Sequence, residues 1–254
     1  MAVADGLGEI KLKTWGEFED NIRDWMLDYR HFVWRGHSSA NWILEPTLDR
    51  LLKKIGKIDD INARREHLNR FKYASRGRRG INPPLLTDDN DWWALGQHQG
   101  LATPLLDWTS SPFVAAYFAF ISDNDYGSTE NAIFGISQAS IYLKSKLIVH
   151  DFGNKERPPI IEFIEPLSNE NNRLVSQGGL FTRAPDGVDV ESWVRTNFKG
   201  ETEFYRLMKF IIPKSERNIC LRSLNRMNIN HLSLFPDLYG ASNYCNTDLL
   251  IDKY

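Results

Sequence analysis

One nine-residue run limits the folds open to this chain more than any other feature. Phe113 to Ile121, "FVAAYFAFI", has no polar face, and a helix apolar all round must be covered on several sides. It follows Ser111-Pro112, a hydroxyl at a cap position and then proline at the first helical position. Just upstream, "PLLDW" from Pro104 to Trp108 reads as a strand. The run is far shorter than the roughly 20 apolar residues that span a bilayer, so its place is a protein core. Asp107, Trp108 and Thr109 therefore stand at the lip of a buried helix. They either stop a strand and cap a helix, or form a rigid platform that presents Asp107 and Thr109 to a ligand.

The elements around this unit alternate in type. "TWGEFEDNIRDWMLDY" opens with Thr14 and Glu17 in capping-box spacing, and Phe18, Ile22, Trp25 and Tyr29 fall on one helical face. "HFVWRG" is a short strand ending at Gly36. Helices are expected over 46–56, 60–76 and 88–97, broken by Asn82-Pro83-Pro84. "DNDYGSTEN" is a turn-rich loop; "AIFGIS", "IIEFIEP", "GLFT" and "FYRLMKFIIP" are strands. A helix starts at Ser215 and runs through Asn228, and "FPDLYGASNYC" makes the last. This order predicts one α+β domain over residues 1–254, with a helical insertion at about 46–97 after the first core strand.

Charge and cysteine usage narrow the classes of function. With 31 basic and 33 acidic side chains the net charge is −2, so only a local patch can attract nucleic acid. Arg64 to Arg79, "RREHLNRFKYASRGRR", is such a patch: seven cations against one acid, with Phe71 and Tyr73 interleaved. Arg76, Arg78 and Arg79 could track a phosphate backbone while aromatics stack bases. A solvated basic helix face, or a docking face for an acidic partner, is the competing reading. Cys220 and Cys245 lack any CxxC or His-rich context, which predicts two buried free thiols. The six histidines show no metal-ligand spacing. No signal pattern opens the chain, so the cytoplasm is expected and no membrane contact.

"VWRGHSS" puts Arg35 at the end of an apolar strand, directly before glycine. Its five-donor fork suits phosphate oxygens, and Gly36 permits close backbone approach. "VWRG" followed by "QHQGLATPLLDWT", "NNRLVSQGGLFT" and "SLFPDLYGASNY" resembles the FRG domain family, over Trp34 to roughly Tyr244. Two departures stand out. Ala102-Thr103-Pro104 replaces the family's Pro-Thr-Arg, and Tyr239-Gly240 replaces its Asp-Gly. The first removes an arginine near the expected cleft.

The same residues are more distantly similar to arginine-type ADP-ribosyltransferases, which have Arg-Gly closing the first strand and a Ser-Thr-Ser strand entering a Val-Ala-x-x-Phe helix. A Glu, sometimes Gln, opens a later strand. This resemblance implies a split β-sheet core of that type and NAD as substrate. Arg35 and Gly36 would grip a phosphate or ribose, Thr109 would hold Arg35 or the ribose, and Asp107 would orient the arginine. Tyr117 would face nicotinamide or pack the core, and His98 would face the ligand or settle in a loop. Gln177 is favoured as the third element over Glu203 of "GETEFY". The implied activity is mono-ADP-ribosylation of nucleic acid, RNA above DNA, by a toxin or anti-phage effector. A neutralising antitoxin protein, with a chaperone as a further partner, would then accompany it. A non-catalytic RNA- or nucleotide-binding module and a transferase acting on protein remain the alternatives.

Overall fold

The computed structural model describes residues 3–124, 126–152, 157–166 and 172–254; Asp125 of the turn-rich loop and Asn171 of the family-like stretch lie outside them. Eight strands form one open sheet: β1 Val3–Ala4, β2 Leu7–Lys11, β3 Phe32–His37, β4 Leu105–Thr109, β5 Glu130–Ser137, β6 Glu162–Ile164, β7 Gly179–Arg183 and β8 Leu207–Pro213. Their spatial order is β1-β2-β8-β5-β3-β4-β7-β6. β2 and β8 pair in parallel, and the other neighbours are antiparallel. Among the described residues the α-helices are α1 Trp15–Asn21, α2 Thr47–Lys54, α3 Ile61–Ala74, α4 Asp89–His98, α5 Pro112–Phe120, α6 Gln138–Phe152, α7 Asn172–Ser176, α8 Val190–Asn197, α9 Arg217–Arg226, α10 His231–Leu234 and α11 Leu238–Leu250. The chain is thus a mixed α+β protein, with α2, α3 and α4 inserted between β3 and β4.

Strand residues alternate between two cores because successive side chains point to opposite faces. Trp34, Ile133, Met208, Phe210 and Ile212 meet α5, α9 and α1 on one face. Val33, Phe134, Ile136, Leu207 and Ile211 meet α6 and α8 on the other. A third cluster packs Leu48, Leu52, Leu68 and Trp93 of the inserted helices against Leu105 and Phe181. α5 lies where its composition demands, with Ala115, Ala116, Tyr117, Ala119 and Phe120 wholly buried. Ser111 caps it, its Oγ accepting the Val114 N–H at 3.3 Å.

Three features depart from the expectations. The sheet is continuous rather than divided, but β3 and β4 meet at a single register pair, Trp34 opposite Thr109. β3 pairs with β5 along its whole length, from Phe32 to His37. Second, α1 ends at Asn21 and passes into a π-helical turn, Ile22–Met26. The wider turn breaks the 3.6-residue register, so Phe18 and Ile22 stay buried while Trp25 and Tyr29 face solvent. Third, both cysteines are free, but Cys245 is exposed, on a helix that buries little besides Gly240 and Thr247.

Candidate functional site

The strand contact that fails beyond Trp34 and Thr109 leaves a cleft of ≈ 290 Å³ between β3 and β4. Trp34, Arg35, Gly36, Asp107, Trp108, Thr109, Gln177 and Phe235 line it, together with Ala115 and Phe118 of α5. Arg35 bridges the gap. Its Nη1 donates to the Asp107 carbonyl oxygen at 2.7 Å, taking a group that a regular ladder would have paired. The same nitrogen stands 3.5 Å from the Asp107 carboxylate, and Nε donates to His37 Nε2 at 3.0 Å. Burial lowers the Arg35 pKa and Asp107 opposes that shift; the guanidinium remains a cation at neutral pH.

His37 is buried, and burial together with the Arg35 charge lowers its pKa to about 3. The ring is therefore a neutral acceptor, which suits the Arg35 Nε–H. On the other side, Gln97 Nε2 donates to the Asp107 carboxylate at 2.9 Å, and Gln97 Oε1 accepts from the buried Thr103 hydroxyl. Thr103, Gln97, Asp107, Arg35 and His37 thus form one polar chain, and each link fixes the next side chain.

Thr109 acts differently from the sequence expectation. Its hydroxyl donates to the Gln177 carbonyl at 2.6 Å and accepts the Ser111 N–H at 3.1 Å. It therefore stitches β4 to the turn before β7 and does not hold Arg35. The Ser110 N–H bonds the Gly178 carbonyl at 2.9 Å beside it. Gly178 has φ +54°, and a Cβ there would lie 2.8 Å from Ser110 Oγ, so this turn requires glycine. Gln177 is held over the cleft as a result, with its Nε2 donating to the Leu234 carbonyl at 3.2 Å.

Gly36 also has a reason other than ligand approach. A Cβ at this position would sit 1.9 Å from the Ala115 carbonyl oxygen and 2.6 Å from Ala119 N. The glycine lets α5 lie directly on β3. Tyr117 is fully buried and its hydroxyl bonds His231 Nδ1 at 2.6 Å. It belongs to the core, and its neighbour Phe118 supplies the aromatic wall instead, edge-on to Phe235. The substitution of one for the other follows from rotation by about 100° per helical residue.

The remaining candidates lie apart from the cleft lining. His98 ends α4, where burial and then the Arg173 charge lower its pKa. Arg173 itself pairs with Asp237 at 2.5 Å and lies over the rings of Phe235 and Tyr239. Glu203 borders a separate groove with Trp25, Tyr29 and Phe204. Arg76 lies over the Tyr73 ring, 3.8 Å from its centroid. Arg78 donates to the Ala74 carbonyl, and Arg79 donates to the Pro84 carbonyl and lies over Trp92. Arg64 leaves the basic face altogether: it is buried against Asp49 at 2.9 Å. Phe71 packs edge-on to Trp92.

Sequence reasoning passed over Gln97, His37, Phe118 and Phe235. Gln97 opens the quoted "QHQGLATPLLDWT", and Phe235 lies within "SLFPDLYGASNY"; both stretches signalled importance without assigning a side chain. Among the described residues no group of three or more His, Cys, Asp or Glu could hold a metal. No helix among them is long and apolar enough to cross a membrane. Residues 30–127 match the family model of the FRG domain. No curated protein and no solved structure matches the chain.

Proposed function

From the FRG-domain match over residues 30–127 we propose that the β3–β4 cleft is the active site of an NAD-dependent mono-ADP-ribosyltransferase with an ADP-ribosyltransferase-like core. One observation carries the reading. Arg35, the Asp107–Thr109 strand end and Gln177, far apart in sequence, line the same cleft, and Gln177 lies two residues before the strand β7 that pairs with β4. Glu203 borders another groove, which favours Gln177 as the third element.

Transfer breaks the bond between nicotinamide and ribose through an oxocarbenium-like state, so a clamped near-attack geometry supplies much of the rate. Arg35 holds the pyrophosphate; among the described residues its Nη2 has no protein hydrogen bond. Gln177 donates one amide N–H to the Leu234 carbonyl, which leaves Oε1 to accept a hydrogen bond from a ribose hydroxyl and stabilise the developing charge. Phe118 and Phe235 form the apolar wall for the nicotinamide ring. The acceptor atom attacks the anomeric carbon, nicotinamide leaves with the bond's electron pair, and the acceptor loses a proton. A glutamine cannot take that proton. Asp107 is the acid in the cleft lining, with its carboxylate 58% exposed at the lip, and it is the base in this reading.

Nucleic acid, RNA foremost, is the proposed acceptor. The Arg76–Arg79 segment follows α3, which packs on α4 through Phe71 and Trp92, and α4 brings Gln97 to the Asp107 carboxylate. Arg79 lies over Trp92, so the basic segment is seated against the helix whose Gln97 holds the Asp107 carboxylate. A toxin or defence role in the cytoplasm, restrained by an antitoxin protein with or without a chaperone, rests on family analogy. Incubation with labelled NAD and RNA, DNA or protein tests the whole reading. Label on RNA with release of nicotinamide is expected. Label on protein moves the acceptor, and neither label nor nicotinamide leaves a binding module.

A further inference from the structure

Arg35 and Gly36 have a second side. Beyond them, away from Gln177, lies a larger chamber of ≈ 620 Å³ lined by His37, Ser38, Asn41, Trp42, Ile43 and Arg50, sharing Arg35, Gly36 and Phe118 with the cleft. Its lining contains two guanidinium groups and no acid. Arg50 is fixed by donating to the Glu45 carbonyl at 2.6 Å and to Thr47 Oγ1 at 3.1 Å. Arg35 is fixed by His37 and Asp107. Both cations, with Lys209, act on the His37 ring and help keep it neutral, so the positive potential is common to the whole wall.

The same lining holds an indole. Trp42 is 41% exposed, yet it is held in place. Its ring packs 4.7 Å from Tyr126 and edge-on to His37 at 5.9 Å, and its backbone N–H donates to the Ser39 carbonyl. A rigid indole beside two ordered guanidinium groups matches a flat base joined to a phosphate. His37 belongs to the same lining. Its Nε2 accepts from Arg35, so the neutral ring carries its proton on Nδ1. That atom is buried, faces the Trp42 backbone and has no partner in hydrogen-bonding geometry.

We propose that this chamber is a nucleoside-phosphate subsite, with the phosphate between Arg35 and Arg50 and the base against Trp42. The subsite stands independently of the transfer reaction, because binding there needs no turnover. Two sources share the chemistry: the adenylate half of NAD, reaching past Arg35 from the cleft, or one nucleotide of an acceptor strand.

The probe is AMP, titrated calorimetrically against the full chain. Wild type is expected to bind it saturably, and Trp42→Ala and Arg50→Gln each to weaken it by about tenfold or more, the scale of one lost base stack. Both side chains are exposed, and unchanged thermal unfolding of the variants establishes that the loss is local. Displacement of AMP by NAD assigns the subsite to the donor; displacement by a short oligoribonucleotide, with NAD ineffective, assigns it to the acceptor. AMP affinity unchanged in both variants, or no saturable AMP binding to wild type, overturns the proposal. Failure of the transferase reading looks different: no nicotinamide is released, while AMP still binds in a Trp42-dependent manner. Conversely, turnover with an unaltered KM for NAD and unchanged AMP affinity in both variants keeps the transferase and ends the subsite.

Discussion

Replacing Gly36 with alanine separates the two reasons for a glycine beside Arg35. If it is there for the close packing of α5, the new methyl meets backbone that cannot swing aside. Its carbon would lie 1.9 Å from the Ala115 carbonyl oxygen and 2.6 Å from Ala119 N, whereas ordinary contact begins near 3.4 Å. Helix and strand must then part by about 1.5 Å, and overpacking of this kind costs about 1–3 kcal/mol. Clashing with two backbone atoms of a helix that is wholly buried at Ala115, Ala116 and Ala119 puts the cost at the top of that range, about 3 kcal/mol. For a chain of this size that lowers Tm by roughly 6–12 °C. Gly56→Ala is the control: φ is +67° and nothing lies within 4 Å, so only backbone strain of about 1–2 kcal/mol applies. Circular-dichroism melts of both variants decide the matter. Gly36→Ala melting with wild type while ligand affinity alone is lost would refute the packing argument and return Gly36 to the role its place beside the arginine first suggested.

Further outcomes follow from the site. Arg35→Ala should abolish NAD turnover with the fold intact, and Arg35→Lys should restore little, since an ammonium cannot bond His37, Asp107 and phosphate as a fork does; undiminished labelling by Arg35→Ala removes the clamp. Gln177→Ala should lower kcat by about 10²–10³-fold and Glu203→Ala only mildly, and the reverse ranking in steady-state assays moves the third element to the Glu203 groove. Changing Arg76, Arg78 and Arg79 together to Gln should flatten the salt dependence of RNA binding by about two units of log K per log salt and leave NAD hydrolysis without acceptor intact; an unaltered slope removes RNA from that segment. His37, ordinarily titrating at 6.5 and held at about 3 in the fold, makes the unfolded state the better proton binder between those values. Stability should therefore fall on acidification below pH 6.5, by about 2 kcal/mol at pH 5 from this residue alone, and denaturant midpoints of His37→Gln should lack that component.

The parts legible in the sequence are those where local chemistry and final environment agree. α5 could be read because an all-apolar helix has one possible environment, and α2, α3 and α4 because caps and breaks bound them. α6 escaped notice because Tyr142, Leu143 and Leu147 are apolar yet exposed, which erases the polar face that periodicity needs. β1 and β2 are short and interrupted by Gly6, and only the partner β8 makes a strand of β2. In the site, Arg35, Asp107 and Gln177 were legible as residue types next to strand ends. The polar chain through Gln97 and His37 was not, since its links span the inserted helices and exist only once α4 lies beside β4. Thr109 shows the same limit: its position at the cleft could be read, but its hydroxyl's partner, 68 residues away, could not.

The parallel pairing of β2 with β8 sets an order of events during synthesis. Ile10 lies beside Phe210, some 200 residues later, and ribosomes add roughly 5–20 residues per second. β2 therefore waits about 10–40 s for its partner, and the free edge of β5 waits with it. The cleft is later still, because Gln177 is anchored to the Leu234 carbonyl and Phe235 closes one wall. Strands β3, β4 and β7 have all emerged long before these residues exist. A nascent chain thus holds every polar member of the site without having the site, and competence arrives only once Leu234 and Phe235 have been added.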